Sequence, residues 1–286
     1  MTGYLGRLGA RVDAVGSVLC LGIDPDPAAL PDGFNPDIAG IERFADLLLE
    51  AALPYAAAVK PNLAFFEAFG AAGLAALERL RLKVPDTVPV IADAKRGDIG
   101  TTAARQAAAL FDALGADAVT VNPYLGGAAI EPLLERPDRF AYVLCRTSNP
   151  GAGEFQSLRV TDDPTSGRPA EPLYRRVAAA ADRWNARFGT IGLVVGATAP
   201  DELAEVRAAV PGLAFLVPGI GAQGGDLAAT LAHGPATEGV ASALPGGGLL
   251  VNVSRGIAAV PRQTTDVGRA IAEAAADWSH RLAVLG

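Results

Sequence analysis

Val88-Pro89-Val90-Ile91-Ala92-Asp93-Ala94-Lys95-Arg96-Gly97-Asp98-Ile99 joins two kinds of sequence with no linker between them. The first five residues are apolar and rich in β-branched side chains, which suits a strand buried on both faces of a parallel sheet. Residues Asp93 to Asp98 are charged, small or turn-forming. An apolar strand that runs straight into a cluster of ionisable groups has the character of a barrel strand whose C-terminal end opens on a functional face.

Seven more apolar runs share that form: Val18 to Ile23, Ala57 to Val59, Ala118 to Val121, Ala141 to Cys145, Gly192 to Val195, Ala214 to Val217 and Leu249 to Val253. Between them lie stretches rich in Ala, Leu, Arg and Glu with helical spacing, among them Ile41 to Leu53, Ala71 to Leu82, Thr101 to Leu114 and Leu173 to Phe188. Eight β-then-α units predict an α/β fold whose parallel sheet closes on itself, a single (β/α)8 TIM barrel. No linker or shift of composition divides the chain, so one domain is expected over residues 1–286. The connection from Asn149 to Glu171 is polar, punctuated by Gly and Pro, and long for a strand-to-helix loop. It is either a surface insertion or a lid over the site.

The strand ends carry the functional reading. Strand one delivers Asp24, strand two Lys60, strand three Asp93 and Lys95, strand four Asn122 and strand five Ser148; strand seven leads into Gly219, Gly221 and Gln223, and strand eight into Arg255. In an extended segment Asp93 and Lys95 are two apart and face the same side, into the barrel mouth. Neighbouring carboxylates such as Asp93 keep the lysines protonated. Such charges form either a structural cluster of ion pairs or a catalytic array, and alternation of sign across two strands at a pocket favours the array. Of the 24 basic residues only Lys60, Lys83 and Lys95 are lysines. A lysine kept where arginine otherwise serves suits a task that guanidinium performs poorly, such as giving up a proton. In PGIGAQGG, Gly219, Gly221, Gly224 and Gly225 let backbone N–H groups approach an anion at a helix start, and Arg255 adds paired charge-assisted hydrogen bonds, so phosphate is expected after strands seven and eight. The same spacing matches a dinucleotide fingerprint, but it falls on the seventh strand with no acidic residue ending the next, which argues against a Rossmann domain.

Composition removes other classes. A net charge of −7 without a basic cluster argues against nucleic acid. No long apolar stretch suggests a transmembrane helix, and the start MTGYLGRLGARVDAVGS has neither an apolar h-region nor a cleavage site, so a soluble, unexported, cytoplasmic protein is expected. Cys20 and Cys145 sit in apolar runs as buried thiols rather than a disulfide. His233 and His280 lie away from the strand ends and offer, with those cysteines, no zinc site. Trp184 and Trp278 fall in helical stretches far from the strand ends, as packing residues. Neither a GxSxG nor a P-loop is present.

Asp93-x-Lys95-x-x-Asp98-Ile99, with Asp24, Lys60, Ser148, PGIGAQGG and the SRG segment in the same strand order, resembles the orotidine 5'-monophosphate decarboxylase family. AKRGDIG and TSNPGA are similar to its longer-chain bacterial branch. The resemblance implies a cofactor-free, metal-free enzyme that converts orotidine 5'-monophosphate to UMP and CO₂. It implies that Lys60, Asp93, Lys95 and Asp98 form the alternating charge array, with Lys95 the proton donor. Asp24 and Lys60 would meet ribose hydroxyls, Ser148 the pyrimidine, and Gln223 with Arg255 the phosphate. Asp98 and Thr102 would enter the neighbouring subunit's site, which implies a homodimer with shared active sites. Two rivals stand beside it: a Mg²⁺-assisted sugar-phosphate decarboxylase or aldolase on a related barrel, for which the cation Lys60 occupies a position where a carboxylate is expected, and an idle barrel that binds nucleotide phosphate without turnover.

Overall fold

The computed structural model describes residues 3–161, 169–237, 244–261 and 263–283. Its centre is one eight-stranded sheet: β1 (Leu19–Ile23), β2 (Ala58–Pro61), β3 (Ile91–Arg96), β4 (Ala118–Val121), β5 (Phe140–Arg146), β6 (Ile191–Val195), β7 (Ala214–Val217) and β8 (Leu249–Val253). All pairings are parallel in the order β2-β1-β8-β7-β6-β5-β4-β3. Parallel bridges Val59 to Val90 and Asn62 to Asp93 join the two ends. The sheet therefore closes as the eight β/α units predict, with strands whose residues are almost all buried.

The outer helices bury one stripe each. In the helix Ile38–Ala52 the buried residues Ile41, Phe44, Ala45, Leu48, Leu49 and Ala52 recur at three- and four-residue spacing. Asp37 caps its start by accepting from Gly40 N at 2.8 Å. Fully burying a side chain such as Leu48 contributes about 2 kcal/mol. The expected helix Thr101 to Leu114 is α-helical over Gly100–Ala107 and continues in wider π-type turns over Ala108–Ala113. A helix over Tyr4–Val15, absent from the sequence reading, covers the N-terminal end of the barrel, where Tyr4 and Tyr142 hydroxyls meet at 3.0 Å.

Strand three begins later and ends later than its apolar run. Pro89 has no N–H to give, and the Val90 N–H donates to Asp117 Oδ2 at 2.8 Å, so ladder pairing starts at Ile91. At the other end β3 continues through Asp93, Ala94 and Lys95 to Arg96. Lys60, likewise, lies inside β2 instead of following it.

The long connection after β5 has structure of its own. It makes a turn of 3-10 helix at Pro150–Ala152, a helical turn at Gly153–Gln156, and an antiparallel hairpin of Arg159–Val160 with Glu171–Pro172. Residues 162–168 of that connection lie outside the described residues. Among the described residues no helix is long and apolar enough to cross a membrane.

Candidate active site

Two strands, β2 and β3, bring three charges to one point. Asp93 is placed between two ammonium groups: Lys60 Nζ lies 2.6 Å from Oδ2 and Lys95 Nζ 2.5 Å from Oδ1. Thr120 of β4 donates to Asp93 Oδ1 at 3.0 Å. The Lys60 side chain is 4% exposed, that of Asp93 12% and that of Lys95 51%, so the array runs from the barrel interior outward. Burial alone would raise the Asp93 carboxyl; the charges of Lys60 and Lys95 and their hydrogen bonds outweigh it and hold the group well below the usual carboxylate range. Burial alone would lower Lys60, but the charges of Asp93 and Asp24 overcome it and keep the ammonium above the usual lysine range. All three groups are thereby tied to one another by Coulomb forces that the partly dry pocket strengthens.

Asp93 and Lys95 do share a pocket, but not through the two-residue alternation of an extended strand. Between Ala92 and Arg96 β3 advances four residues while β4, from Val119 to Val121, advances two. Lys95 sits at the outer part of this bulge with φ +50°, a left-handed backbone that only it among the described non-glycine residues adopts. The Thr120 hydroxyl holds the bulge by accepting from both Ala94 N at 3.0 Å and Lys95 N at 2.9 Å. Just beyond, a Cβ on Gly97 would lie 2.5 Å from the Asn122 carbonyl, so only glycine lets the chain pass there without shifting.

The array forms one wall of a cavity of about 470 Å³, a volume suited to a nucleotide-sized ligand. Asp24, Ser148, Gly219, Gln223 and Arg255 line it, as the strand-end reading expects of them. Gly221 does not line it: its φ of +84° turns the chain away, and its α-carbon faces the Trp278 ring. The helix after this turn, Leu227–His233, is capped by Asp226, whose carboxylate accepts from Ala229 N at 2.9 Å. Its start is thus already occupied by a carboxylate, while Gly219, Ile220, Ala222, Gln223 and Arg255 line the cavity. Asp98 and Thr102 also lie outside the cavity. Asp98 Oδ1 accepts from Ile99 N at 2.8 Å, and Thr102 is exposed on the helix Gly100–Ala107. The array within one chain is therefore Lys60, Asp93 and Lys95, without Asp98.

Several lining residues escape the sequence reading. Asn62 ends the AVKPN segment, Thr120 looks like any β-branched strand residue, and Gln156 is hidden in the long connection. Asn252 carries a usable signal, being a polar residue within the apolar run Leu249–Val253. Asn252 Oδ1, Ser254 Oγ and Asp24 Oδ1, on three residues of the cavity wall, are buried without a hydrogen-bond partner among the described residues. Trp278, far from the strand ends in sequence, is brought behind them: its Nε1 donates to Gly256 O at 3.1 Å and its ring packs against Gly221. Burial pushes the thiols of Cys20 and Cys145 up to about 12, and both are free.

A closed parallel barrel with a buried carboxylate shared by two lysines, opposite a glycine turn and an arginine, defines a barrel enzyme for a small anionic substrate. Comparison with known proteins narrows the class. A family model described as "Orotidine 5'-phosphate decarboxylase / HUMPS family" matches residues 17–271. A Roseiflexus castenholzii protein named orotidine 5'-phosphate decarboxylase is 50% identical over 240 residues, covering 84% of this chain and 82% of the relative. The structure of Leishmania donovani OMP decarboxylase is similar at 40% identity with a TM-score of 0.79, covering 98% of this chain and 99% of that one. Leishmania donovani UMP synthase is similar at 41% identity and a TM-score of 0.81, but this chain spans only 57% of its length. The chain belongs to the orotidine 5'-phosphate decarboxylase / HUMPS family.

Asp93→Asn tests the electrostatics directly. Asp93, with its depressed native value, contributes stability above the ordinary carboxylate range, and that contribution fades as pH falls below about 4. Lys60, with its raised value, contributes fully below the ordinary lysine range and loses its part only as pH rises beyond it. Urea melts should show the largest stability gap between wild type and Asp93→Asn near neutral pH and a narrower gap at about pH 3.5. Equal gaps at the two values would mean that Asp93 is not held ionised.

Proposed function

We propose that this chain is an orotidine 5'-phosphate decarboxylase, a carbon–carbon lyase of pyrimidine nucleotide synthesis that converts orotidine 5'-monophosphate to UMP and CO₂. The observation that carries the reading is the Lys95 ammonium, paired with Asp93 and half-exposed at the cavity wall. Relatives carrying that name at about half identity over most of the chain separate this activity from the other one in the family description.

The chemistry explains why such an array is useful. Breaking the bond from C6 to the carboxylate releases CO₂ and leaves an electron pair in the plane of the pyrimidine ring, where delocalisation is poor. A fixed ammonium stabilises that pair as it develops and then supplies the proton for the new C6–H bond, leaving Lys95 as a neutral amine that regains a proton from water. Asp93 holds the amine in place by a hydrogen bond and repels the substrate carboxylate, and Lys60 holds Asp93 ionised. In this arrangement Arg255, Gln223 and the Gly219 turn take the phosphate, Asp24 and Lys60 the ribose, and Ser148 the base.

The Mg²⁺-dependent rival asks for a hard-cation site of oxygen ligands. The second-strand position where it would place a carboxylate holds Lys60, an ammonium already bonded to Asp93. Among the described residues no three His, Cys, Asp or Glu side chains converge in a manner suited to a metal. The idle-barrel rival gives no reason for an ammonium set among carboxylates at the cavity wall.

The same reading includes a homodimer in the cytoplasm. Asp98 and Thr102 lie outside their own chain's cavity, and Ile99, Tyr124 and Leu125, on the segments after β3 and β4, are 70%, 81% and 55% exposed. Large apolar side chains exposed on these two segments suit a subunit contact.

Protein treated with EDTA should turn orotidine 5'-monophosphate into UMP, followed by the absorbance change of the pyrimidine. No turnover in chelator, with turnover of a sugar phosphate once Mg²⁺ is added, would favour the metal-dependent rival. In the same assay Lys95→Arg and Lys95→Ala should both lose at least about 100-fold in kcat, since arginine keeps the charge but is a poor acid. Near-wild-type rates for Lys95→Arg would remove Lys95 from the acid role. Mixing inactive Lys95→Ala and Asp98→Asn chains should restore activity through one intact composite site per mixed dimer. Demonstrated mixed dimers without activity would place Asp98 outside the partner's site.

A further inference from the structure

The long connection after β5 does not leave the site. Its helical turn Gly153–Gln156 folds back so that Gln156 reaches the end of β5, where both ends of its amide are used on one residue. Gln156 Oε1 accepts from the Thr147 backbone N–H at 2.9 Å, and Gln156 Nε2 donates to Thr147 Oγ1 at 2.8 Å. The Thr147 hydroxyl passes the chain on by donating to Asn149 Oδ1 at 2.7 Å. The residue enclosed by these bonds is Ser148.

Ser148 is fixed on its other sides by backbone. A Cβ on Gly196 would come within 2.8 Å of Ser148 N, Cα and Cβ, and one on Gly219 within 2.9 Å of Ser148 Cβ, so two glycines of neighbouring strand ends press against it. Its carbonyl accepts from Thr198 Oγ1 at 3.1 Å. At Thr147 the carbonyl accepts from Arg146 Nη1 at 2.8 Å, and Gln156 is the side chain that holds the N–H and the hydroxyl. A glutamine amide is well matched to this work because it offers an acceptor and a donor in one plane, for an N–H and a hydroxyl oxygen of the same residue.

We propose that Gln156 is a positioning residue for base recognition: by clamping Thr147 it sets the Ser148 hydroxyl against the pyrimidine edge of the nucleotide. This rests on the decarboxylase reading. It assigns the first half of the long connection to specificity, as part of the wall that reads the base, and it leaves the phosphate side of the cavity untouched.

The test separates the two ends of the ligand. UMP and ribose 5-phosphate, which lacks the base, are measured as inhibitors of orotidine 5'-monophosphate turnover by wild type, Gln156→Leu and Gln156→Glu. Gln156→Leu should weaken UMP about tenfold and leave ribose 5-phosphate within about twofold, with KM raised and kcat little changed. Gln156→Glu, which keeps the acceptor for Thr147 N and loses the donor, should fall between, and it serves alone if the leucine variant does not fold. In a Ser148→Ala background the effect of Gln156→Leu on UMP should largely vanish, because the two residues act in series. Equal weakening of both ligands, no weakening of UMP, or full additivity with Ser148→Ala would overturn the proposal. Wild type without turnover is a different result, sinking the decarboxylase reading and this inference with it.

Discussion

One carboxylate shared between two ammonium groups governs this cavity. Asp93 is largely buried, and a buried charge is tolerated only when it is paired and hydrogen-bonded. Lys60 and Lys95 supply the pairing and Thr120 the further bond. The dependence is mutual: Lys60, more deeply buried than either partner, stays charged because Asp93 and Asp24 face it. Removal of Lys60 or Asp93 would strip its buried partner of its closest counter-charge, so these two persist or fail together, while the half-exposed Lys95 adds the outer charge.

That unit imposes demands on the scaffold. Its members come from β2 and β3, and the threonine that fixes them comes from β4, so their separation is set by strand closure and not by a flexible loop. Bridges between Val59 and Val90 and between Asn62 and Asp93 join β2 to β3 at the place where the charges meet. The same logic extends around the mouth, where Gly97 and Gly196 allow backbones to approach closer than a Cβ permits and Gly219 makes room for the Ser148 side chain. Trp278 stands behind the turn that carries Gly221 and holds it from outside.

Much of this is legible in the sequence, for a physical reason. A parallel strand buried on both faces is mostly apolar, so the first charged residue after the run marks the approach to the barrel mouth, and Asp24, Asp93 and Lys95 stand out on those grounds. Closure of the barrel also follows from the count of β/α units. Conformational detail is less accessible. Alternation suggests that Asp93 and Lys95 share a face through an extended strand, whereas a bulge and a threonine from the next strand bring them together. Thr120 cannot be told from a structural strand residue without that geometry. Gln156 is invisible for another reason: it pairs with the backbone N–H and hydroxyl of Thr147 across a loop, a contact that carries no sequence signature. Asp98 and Thr102 show the reverse problem, being adjacent to the array in sequence yet outside the cavity of their own chain.

The left-handed backbone at Lys95 has a consequence for how this molecule balances two demands. Glycine adopts that conformation freely, while a residue with a Cβ is disfavoured there by about 1 kcal/mol. A chain with glycine at this position would relax the backbone and lose the amine. Folding preference and chemical competence thus pull in opposite directions at one residue, and the rest of the barrel must be robust enough to carry the less comfortable choice.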